Sequence, residues 1–321
     1  MTNNTPILLI TFNRPNHVRR VLMEIRKQKP AELYICQDGA REDNENDRRK
    51  VQEVREVVQE LVDWPCNLHT LYQEKNLGCG PGPAAGITWF FENVEQGIVM
   101  EDDCLPHPDF FGYCEELLNK YKNNPHVQFI NATLYDDSWR CKDSYGFSHY
   151  MITGAWAAWR ETWQGFDINL QNMDARAFRE HVWNLTDNRV EANWWYAKVL
   201  EIQRDTKQKS YWDYQMQIHL FEISAITIHP AVNLIANIGF DAEGTHTLGN
   251  DGRGNRPIYG ILPLKHPANI TVDLDADKAA IWAHKGSKSR MKSVIQYVYT
   301  TLYYSKGIGH KLLMLYKNIK K

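Results

Sequence analysis

Short apolar runs alternate with helix-period stripes through the first part of the chain. Ile7–Thr11 is bounded by Pro6 and by Asn13-Arg14-Pro15, the pattern of a buried parallel strand and its exit turn. Asn16 is expected to cap a helix carrying Val18, Val21, Leu22 and Ile25 on one face. Residues 32–36 read as a second strand, ending in Gln37-Asp38-Gly39. A charged loop, 41–50, leads to a helix with Val51, Val54, Val58, Leu61 and Val62 as its core stripe. Asn67–Tyr72 reads as a third strand, 84–94 as a helix and 97–100 as a fourth strand. A helix to Tyr121 with Pro108 in its first turn and a strand at Val127–Asn131 complete the series. The order βαβαβαβαβ predicts the α/β class, a Rossmann-like, mainly parallel sheet flanked by helices.

The fourth strand runs straight into Glu101-Asp102-Asp103, followed by Cys104-Leu105-Pro106. A solvated loop is the plainer reading of a short acidic run. Adjacent acids at the carboxyl edge of a parallel sheet also stand where open α/β folds bind ligands, and like charges so close call for a cation. Mg²⁺ or Mn²⁺ prefers oxygen ligands and shares its shell with phosphates, so a nucleoside diphosphate is the partner this site suggests. Asn76-Leu77-Gly78-Cys79-Gly80-Pro81-Gly82-Pro83 opens the preceding helix, and glycines there let a phosphate or sugar approach the backbone. Its spacing is neither Walker A nor GxGxxG, so a turn without function fits equally.

From residue 132 the composition shifts. Eight of the eleven tryptophans fall between Trp139 and Trp212, several in the run 153–163 and at Trp194-Trp195. A single tryptophan is more often core, but as a group beside a nucleotide site they favour a ring-shaped substrate. Asp213, in Trp212-Asp213-Tyr214, is either a helix cap or a general base whose aromatic surroundings raise its pKa. Residues 226–229 and 232–235 read as strands leading to the loop 237–247, where His246 is the best candidate for an added metal ligand. The Gly- and Pro-rich segment 250–267 is expected to be irregular, mobile or wrapped over the site.

The formal charge of −2 gives no basic excess for nucleic acid. Six cysteines without CxxC or zinc spacing read as reduced, packed thiols. The apolar run after Met1 is too short for a signal sequence and no segment reaches membrane-spanning length, so a cytoplasmic protein is expected. Residues 285–321 hold no acid, many Lys and Arg, and apolar residues including Val294, Ile295, Val298, Leu302, Leu312, Leu313 and Leu315. This basic amphipathic tail fits peripheral contact with the anionic inner face of the plasma membrane, or docking on its own domain. The expected division is a domain at 1–285, with a nucleotide-sugar half at 1–131 and an acceptor half at 132–285, and a helical tail at 286–321.

An ordered set of short stretches across residues 5–267 resembles one family. They are Thr11-Phe12-Asn13-Arg14-Pro15, Gln37-Asp38-Gly39, Asn76-Leu77-Gly78, Glu101-Asp102-Asp103-Cys104-Leu105-Pro106, Gly154-Ala155-Trp156, Trp212-Asp213-Tyr214-Gln215, Asn237-Ile238-Gly239 and Thr245-His246-Thr247. The chain resembles metal-dependent glycosyltransferases of the GT-A fold, specifically bacterial nucleotide-diphospho-sugar transferases of the haemolysin-related group. It is more distantly similar to the N-acetylglucosaminyltransferase I type. The resemblance implies that Thr11, Asn13 and Arg14 line the nucleotide pocket, that Asp38 contacts the base, and that Asn76 and Gly78 hold the nucleotide sugar. It implies that Glu101-Asp102-Asp103 stands for the DXD-type motif, with Asp103 on the metal and Glu101 and Asp102 on donor sugar and ribose. Asp213 matches the catalytic base of inverting members and His246 a C-terminal metal or diphosphate ligand. Gly154, Trp156 and Trp212 would meet the acceptor.

The function these readings imply is Mn²⁺- or Mg²⁺-dependent transfer of a sugar from a nucleotide-diphosphate donor to a glycan or lipid-linked hydroxyl, with inversion. UDP is favoured on family grounds alone. A sugar-1-phosphate nucleotidyltransferase is the alternative enzyme, although no long Gly/Arg/Lys-rich loop follows the first strand to hold a triphosphate. A carbohydrate-binding protein without turnover is the non-enzymatic alternative.

Overall fold

A computed structural model describes residues 4–136, 138–205, 211–240 and 254–285, with residues 295, 298, 299 and 302 beyond them. In chain order they form β1 (Ile7–Thr11), α1 (Pro15–Gln28), β2 (Glu32–Gln37), α2 (Glu45–Leu61), β3 (Asn67–Tyr72), α3 (Pro81–Asn93), β4 (Gln96–Glu101), β5 (Cys104–Pro106), α4 (Asp109–Tyr121) and β6 (Val127–Asn131). There follow β7 (Tyr145–Ser148), β8 (Ala155–Trp159), α5 (Arg160–Trp163), α6 (Ala175–Thr186), α7 (Arg189–Arg204), α8 (Asp213–Glu222), β9 (Ile226–Pro230), β10 (Ile235–Asn237) and α9 (Leu274–Lys285).

Strand β1 is buried on both faces, which is why it reads as an unbroken apolar run. Ile7 and Leu9 pack with the α1 and α2 stripes, while Leu8 and Ile10 pack with Ile87 and Phe90 of α3. Ile7 stands in parallel register with Leu33 of β2 on one side and with Ile98 of β4 on the other. The main sheet runs β3-β2-β1-β4-β8-β6-β9-β7, and β5 pairs antiparallel with β10 as a short ribbon.

The α/β class and the central sheet flanked by helices are as the pattern predicts. One insertion was not foreseen. The run Ala155-Trp156-Ala157-Ala158-Trp159 becomes β8 and enters antiparallel between β4 and β6, so those two are not neighbours. Its small residues let it lie buried on both faces between them. Helices α6, α7 and α8 pack around Tyr150, Phe178, Trp195 and Phe221 as a separate apolar cluster.

Several boundaries differ from expectation for local reasons. Helix α1 starts at Pro15, which needs no N–H in the first turn, so Asn16 lies inside the helix and does not cap it. The second half of the charged stretch 41–50 is already helix, because the Asn44 side chain accepts from Asp47 N at 3.0 Å and caps α2. Helix α3 begins at Pro81 and takes in Gly82 and Pro83. Helix α9 was not read from the sequence. It docks on β7 through Asp277, which accepts from Ser148 Oγ at 2.6 Å and His149 N at 2.8 Å. The irregular segment after Gly254 lies along α4 and β7, not over the carboxyl edge of β1. Ile261 N donates to Asp109 Oδ2 at 2.8 Å, and Lys265 N to Ser144 Oγ at 2.8 Å. Among the described residues no helix is long and apolar enough to cross a membrane.

Candidate functional site

The chain leaves β1 toward β2 on one side and returns to β4 on the other, so the strand order reverses at β1. The carboxyl ends of β1, β2 and β4 meet at that edge, the place where an open α/β sheet leaves a crevice. A cavity of about 220 Å³ opens there. Thr11, Arg14, Asp38, Asn76, Gly78, Glu101 and Asp102 line it, together with Trp212 from the other half of the chain. Residues from five separate sequence stretches therefore converge here. Asn13 does not line it. Its side chain donates to Asp47 Oδ1 at 2.8 Å and ties the end of β1 to α2.

Asp38 has a different task from the one the resemblance implies. Its Oδ1 accepts from Gly39 N at 2.9 Å and Leu77 N at 2.8 Å; its Oδ2 accepts from Gly78 N at 2.9 Å and Asn76 Nδ2 at 3.0 Å. A carboxylate offers about four acceptor positions, so this one is filled by the chain itself. Burial raises the pKa of Asp38, and the three backbone donors oppose that shift. Asp38 thus holds the turn before α3. Gly78 makes that turn at a φ of 83°, open to glycine without strain. A Cβ on Gly39 would stand 2.5 Å from the Lys75 carbonyl carbon, so the two loops touch backbone to backbone.

Charge at the end of β4 is met by one arginine from the end of β1. Arg14 Nη1 donates to Asp103 Oδ2 at 2.9 Å, and Arg14 Nε lies 3.6 Å from Asp102 Oδ1. Burial works against the charged guanidinium, but Asp102 and Asp103 push its pKa up further. Burial is also the main cause that raises Glu101, reinforced by Asp103, Asp102 and Asp213. Asp102 is raised by burial and Asp103, against the pull of Arg14. Three acids against one guanidinium leave an excess of negative charge in a desolvated edge. Phe12 N also points at Asp102 Oδ2, at 3.4 Å.

The β5–β10 ribbon backs this turn. Ile238 N donates to the Asp103 carbonyl at 2.8 Å. A Cβ on Gly239 would fall 2.3 Å from Asp103 Oδ2 and 2.9 Å from Arg14 Nη1, so only glycine lets this backbone rest on the ion pair. Gly154 has φ of 106°, and a Cβ there would meet Cys104 Sγ at 2.8 Å. Its carbonyl accepts from Glu101 N at 2.7 Å, which makes Gly154 a brace for the acidic turn.

Asp213 opens α8 next to Trp212, and its negative charge is felt at Glu101. Trp212 lines the cavity from the far half of the chain, whereas Asp213 itself does not. Its Oδ1 accepts from Tyr214 N at 3.0 Å. Trp212 forms wall of the cavity, while Trp156 is core: it is 1% exposed and stacks on Phe129 with ring centroids 4.7 Å apart. A ring so covered cannot stack on an acceptor sugar, which corrects the expectation for Trp156. It backs Trp212 instead, 6.1 Å away between centroids. His246 lies outside the described residues, as do most of residues 286–321.

A divalent cation at this edge is what the resemblance implies. Among the described residues no three His, Cys, Asp or Glu side chains converge as a ready-made metal cage. Mg²⁺ and Mn²⁺ sites of the phosphate-bridging kind need only one or two carboxylates and take the rest from substrate and water. Glu101 and Asp102 line the cavity and would supply them, whereas Asp103, whose Oδ2 accepts from Arg14 Nη1, does not line it.

Cys79, Gly82 and Pro83 of the glycine-rich stretch line the cavity, as does Arg41, which sequence reasoning passed over. Arg41 sat in what read as a solvated loop. Its guanidinium is fixed by the buried Asp47, with Nη2 donating to Oδ1 at 2.9 Å.

No family model and no curated protein matches this sequence. Solved structures similar to it include a cytidylyltransferase from Leptospira borgpetersenii serovar Hardjo-bovis (strain JB197), 10% identical, with 56% of this chain and 69% of that one covered at a TM-score of 0.33. Another is a UDP-glucose pyrophosphorylase complexed with UDP-glucose, 8% identical, with 75% of this chain and 95% of that one covered at a TM-score of 0.40. Likeness at these scores carries no inference about substrate or reaction.

Proposed function

We propose that this chain is an enzyme acting on a nucleotide-diphospho-sugar, and that it transfers the sugar to an acceptor hydroxyl. The observation that carries this is the meeting of Asp213 and Trp212 with the carboxyl edge of β1 and β4. Trp212 lines the cavity, and the charge of its neighbour Asp213 is felt at Glu101, which supports a base near a cavity whose acids suit a cation-bridged diphosphate. Glu101 and Asp102 would hold Mn²⁺ or Mg²⁺, and a bound cation would offset charge developing on the leaving diphosphate. Arg14 contributes a permanent positive charge at the same place. Asp213 takes the proton of the acceptor hydroxyl as that oxygen attacks the anomeric carbon from the face opposite the diphosphate, which inverts configuration. Trp212, 5% exposed, forms a largely covered wall of the cavity. UDP is the donor nucleotide this proposal takes first, and a glycan or lipid-linked sugar the acceptor. The basic tail would bring the protein to an anionic membrane surface where such acceptors lie.

A second reading uses the same cavity to transfer a nucleotidyl group to a sugar 1-phosphate. Arg14 and Arg41 both line it, and two fixed cations suit a triphosphate. One experiment separates the readings. The protein is incubated with Mn²⁺ and either a UDP-sugar panel with acceptors, or a nucleoside triphosphate with sugar 1-phosphates. Free UDP with a glycosylated product supports sugar transfer, whereas pyrophosphate release replaces it with the second reading. Asp213→Asn is expected to lower sugar transfer by about 10²- to 10⁴-fold, the range for a general base, with UDP affinity unchanged. Equal turnover in the variant removes Asp213 from that role.

A further inference from the structure

A second cavity, of about 740 Å³, lies between α2, the loop after β2 and the loop after β3. It adjoins the cavity at the sheet edge, sharing Arg41 and Asn76 with it. Its lining carries Arg41, Arg48, Arg55 and Lys75 against Glu42 and Glu74. Arg41 and Arg48 are already paired, with Asp47 and Glu45. Arg55 is not paired in this way. It is half-buried, and among the described residues no carboxylate pairs with it or with Lys75. Its Nε donates to Gln37 Oε1 at 2.8 Å, and its guanidinium lies 4.5 Å from the centroid of the Tyr72 ring.

Gln37 is itself fully buried, and its Nε2 donates to Phe12 O at 3.0 Å and Val51 O at 2.8 Å. The amide is therefore locked with its oxygen toward Arg55. Neutral partners fix the plane of the guanidinium without neutralising it, and they use only its Nε and one face. The two terminal nitrogens keep donors in the fork geometry that matches a phosphate. A half-buried cation held this way is pre-organised for an anion, and the volume lies in the range of small-molecule sites.

We propose that this cavity is a second anion site, taking a phosphate-bearing small molecule other than the donor, with Arg55 as its anchor and Lys75 closing over it. The assignment does not depend on which group the neighbouring cavity transfers. It makes that neighbour responsive to occupancy here, because Arg41 and Asn76 belong to both.

The test is calorimetric titration of inorganic pyrophosphate into the full chain, alone and saturated with UDP. The expected result is pyrophosphate binding that persists under UDP and weakens at least tenfold in Arg55→Gln and in Lys75→Gln, with UDP affinity unchanged in both. Lys75 is exposed, so Lys75→Gln keeps the test valid should Arg55→Gln fail to fold. Pyrophosphate that is fully displaced by UDP, or that binds both variants as it binds wild type, overturns the proposal. Absence of UDP binding instead counts against the donor reading, and the pyrophosphate titration of the two variants still decides this one.

Discussion

Replacing Asp38 by Asn keeps the shape of the side chain and reverses half of its hydrogen bonding. The carboxylate accepts four bonds from Gly39 N, Leu77 N, Gly78 N and Asn76 Nδ2. The amide accepts two of them and turns two N–H groups toward two others. Each donor left without an acceptor in a part-buried site loses about 1 to 3 kcal/mol. Relief of the buried charge, signalled by the raised pKa of Asp38, offsets part of that loss. A net destabilisation of about 3 kcal/mol follows from these terms. At about 2.1 cal/mol/K of unfolding entropy per residue, a chain of this length moves roughly 1.5 °C per kcal/mol, so Tm falls by about 4 to 5 °C. Differential scanning calorimetry measures the shift, and UDP titration measures the second consequence. Asn76, Gly78 and Cys79 line the cavity, so UDP affinity drops along with Tm. A variant with wild-type Tm and at least wild-type UDP affinity would refute the assignment of Asp38 as the clamp of this turn.

Gly239→Ala places a Cβ where Asp103 and Arg14 meet and is expected to open the ion pair. Loss of UDP affinity by tenfold or more, with a destabilisation of about 1 to 3 kcal/mol as for other overpacked sites, is the outcome calorimetry should read. Asp47 governs an acid-dependent step. The hydrogen bond from Arg41 is the first cause that lowers its pKa, and Asn13 adds to it. A depressed acid contributes stability above its unfolded pKa of about 3.9 and loses it as pH falls through the folded value, so the contribution disappears below about pH 4. Denaturant titrations between pH 5 and 3 should therefore show wild type losing more stability than Asp47→Asn; parallel curves would remove Asp47 from the acid response.

The centre of the sheet was legible because β1 and β4 are buried on both faces and announce themselves as unbroken apolar runs, Ile7–Thr11 and the run before Glu101. Helix stripes such as Val18, Val21, Leu22 and Ile25 were legible for the complementary reason, burial of one face alone. The antiparallel entry of β8 was not, since Ala155–Trp159 has no alternation and its orientation is decided by the partners on either side. The site was read in part. Thr11, Arg14, Asp38, Glu101 and Asp102 stand at strand ends, where sequence position alone implies a sheet edge. Arg41 escaped because its place depends on Asp47, a buried acid inside a stretch that reads as uniformly charged. Gly239 escaped because its partner, the Arg14 and Asp103 pair, is brought to it only by the β5–β10 ribbon.

Arg14 decides how the acidic turn should be understood. Read along the sequence, three consecutive acids demand a cation from outside the chain. In the fold, one is supplied from within, at 2.9 Å from Asp103, and it answers only part of the demand. Glu101 and Asp102 still have raised pKa values, with burial as the first cause and neighbouring carboxylates adding to it. A desolvated edge that remains short of positive charge after its own arginine is counted favours a further cation arriving with a ligand. It also disfavours a bare anion there, because the acids would repel it. The Arg55 cavity differs in that its anchor meets only neutral partners and no acid. The two adjoining cavities thus differ at their centres: acids in excess of one arginine in the first, an arginine with no acid partner in the second, so the first suits an anion that brings a metal and the second an anion that comes alone. Divalent cation should accordingly strengthen UDP binding and leave pyrophosphate binding to the UDP-saturated protein no stronger, a contrast one pair of titrations with and without EDTA reads directly.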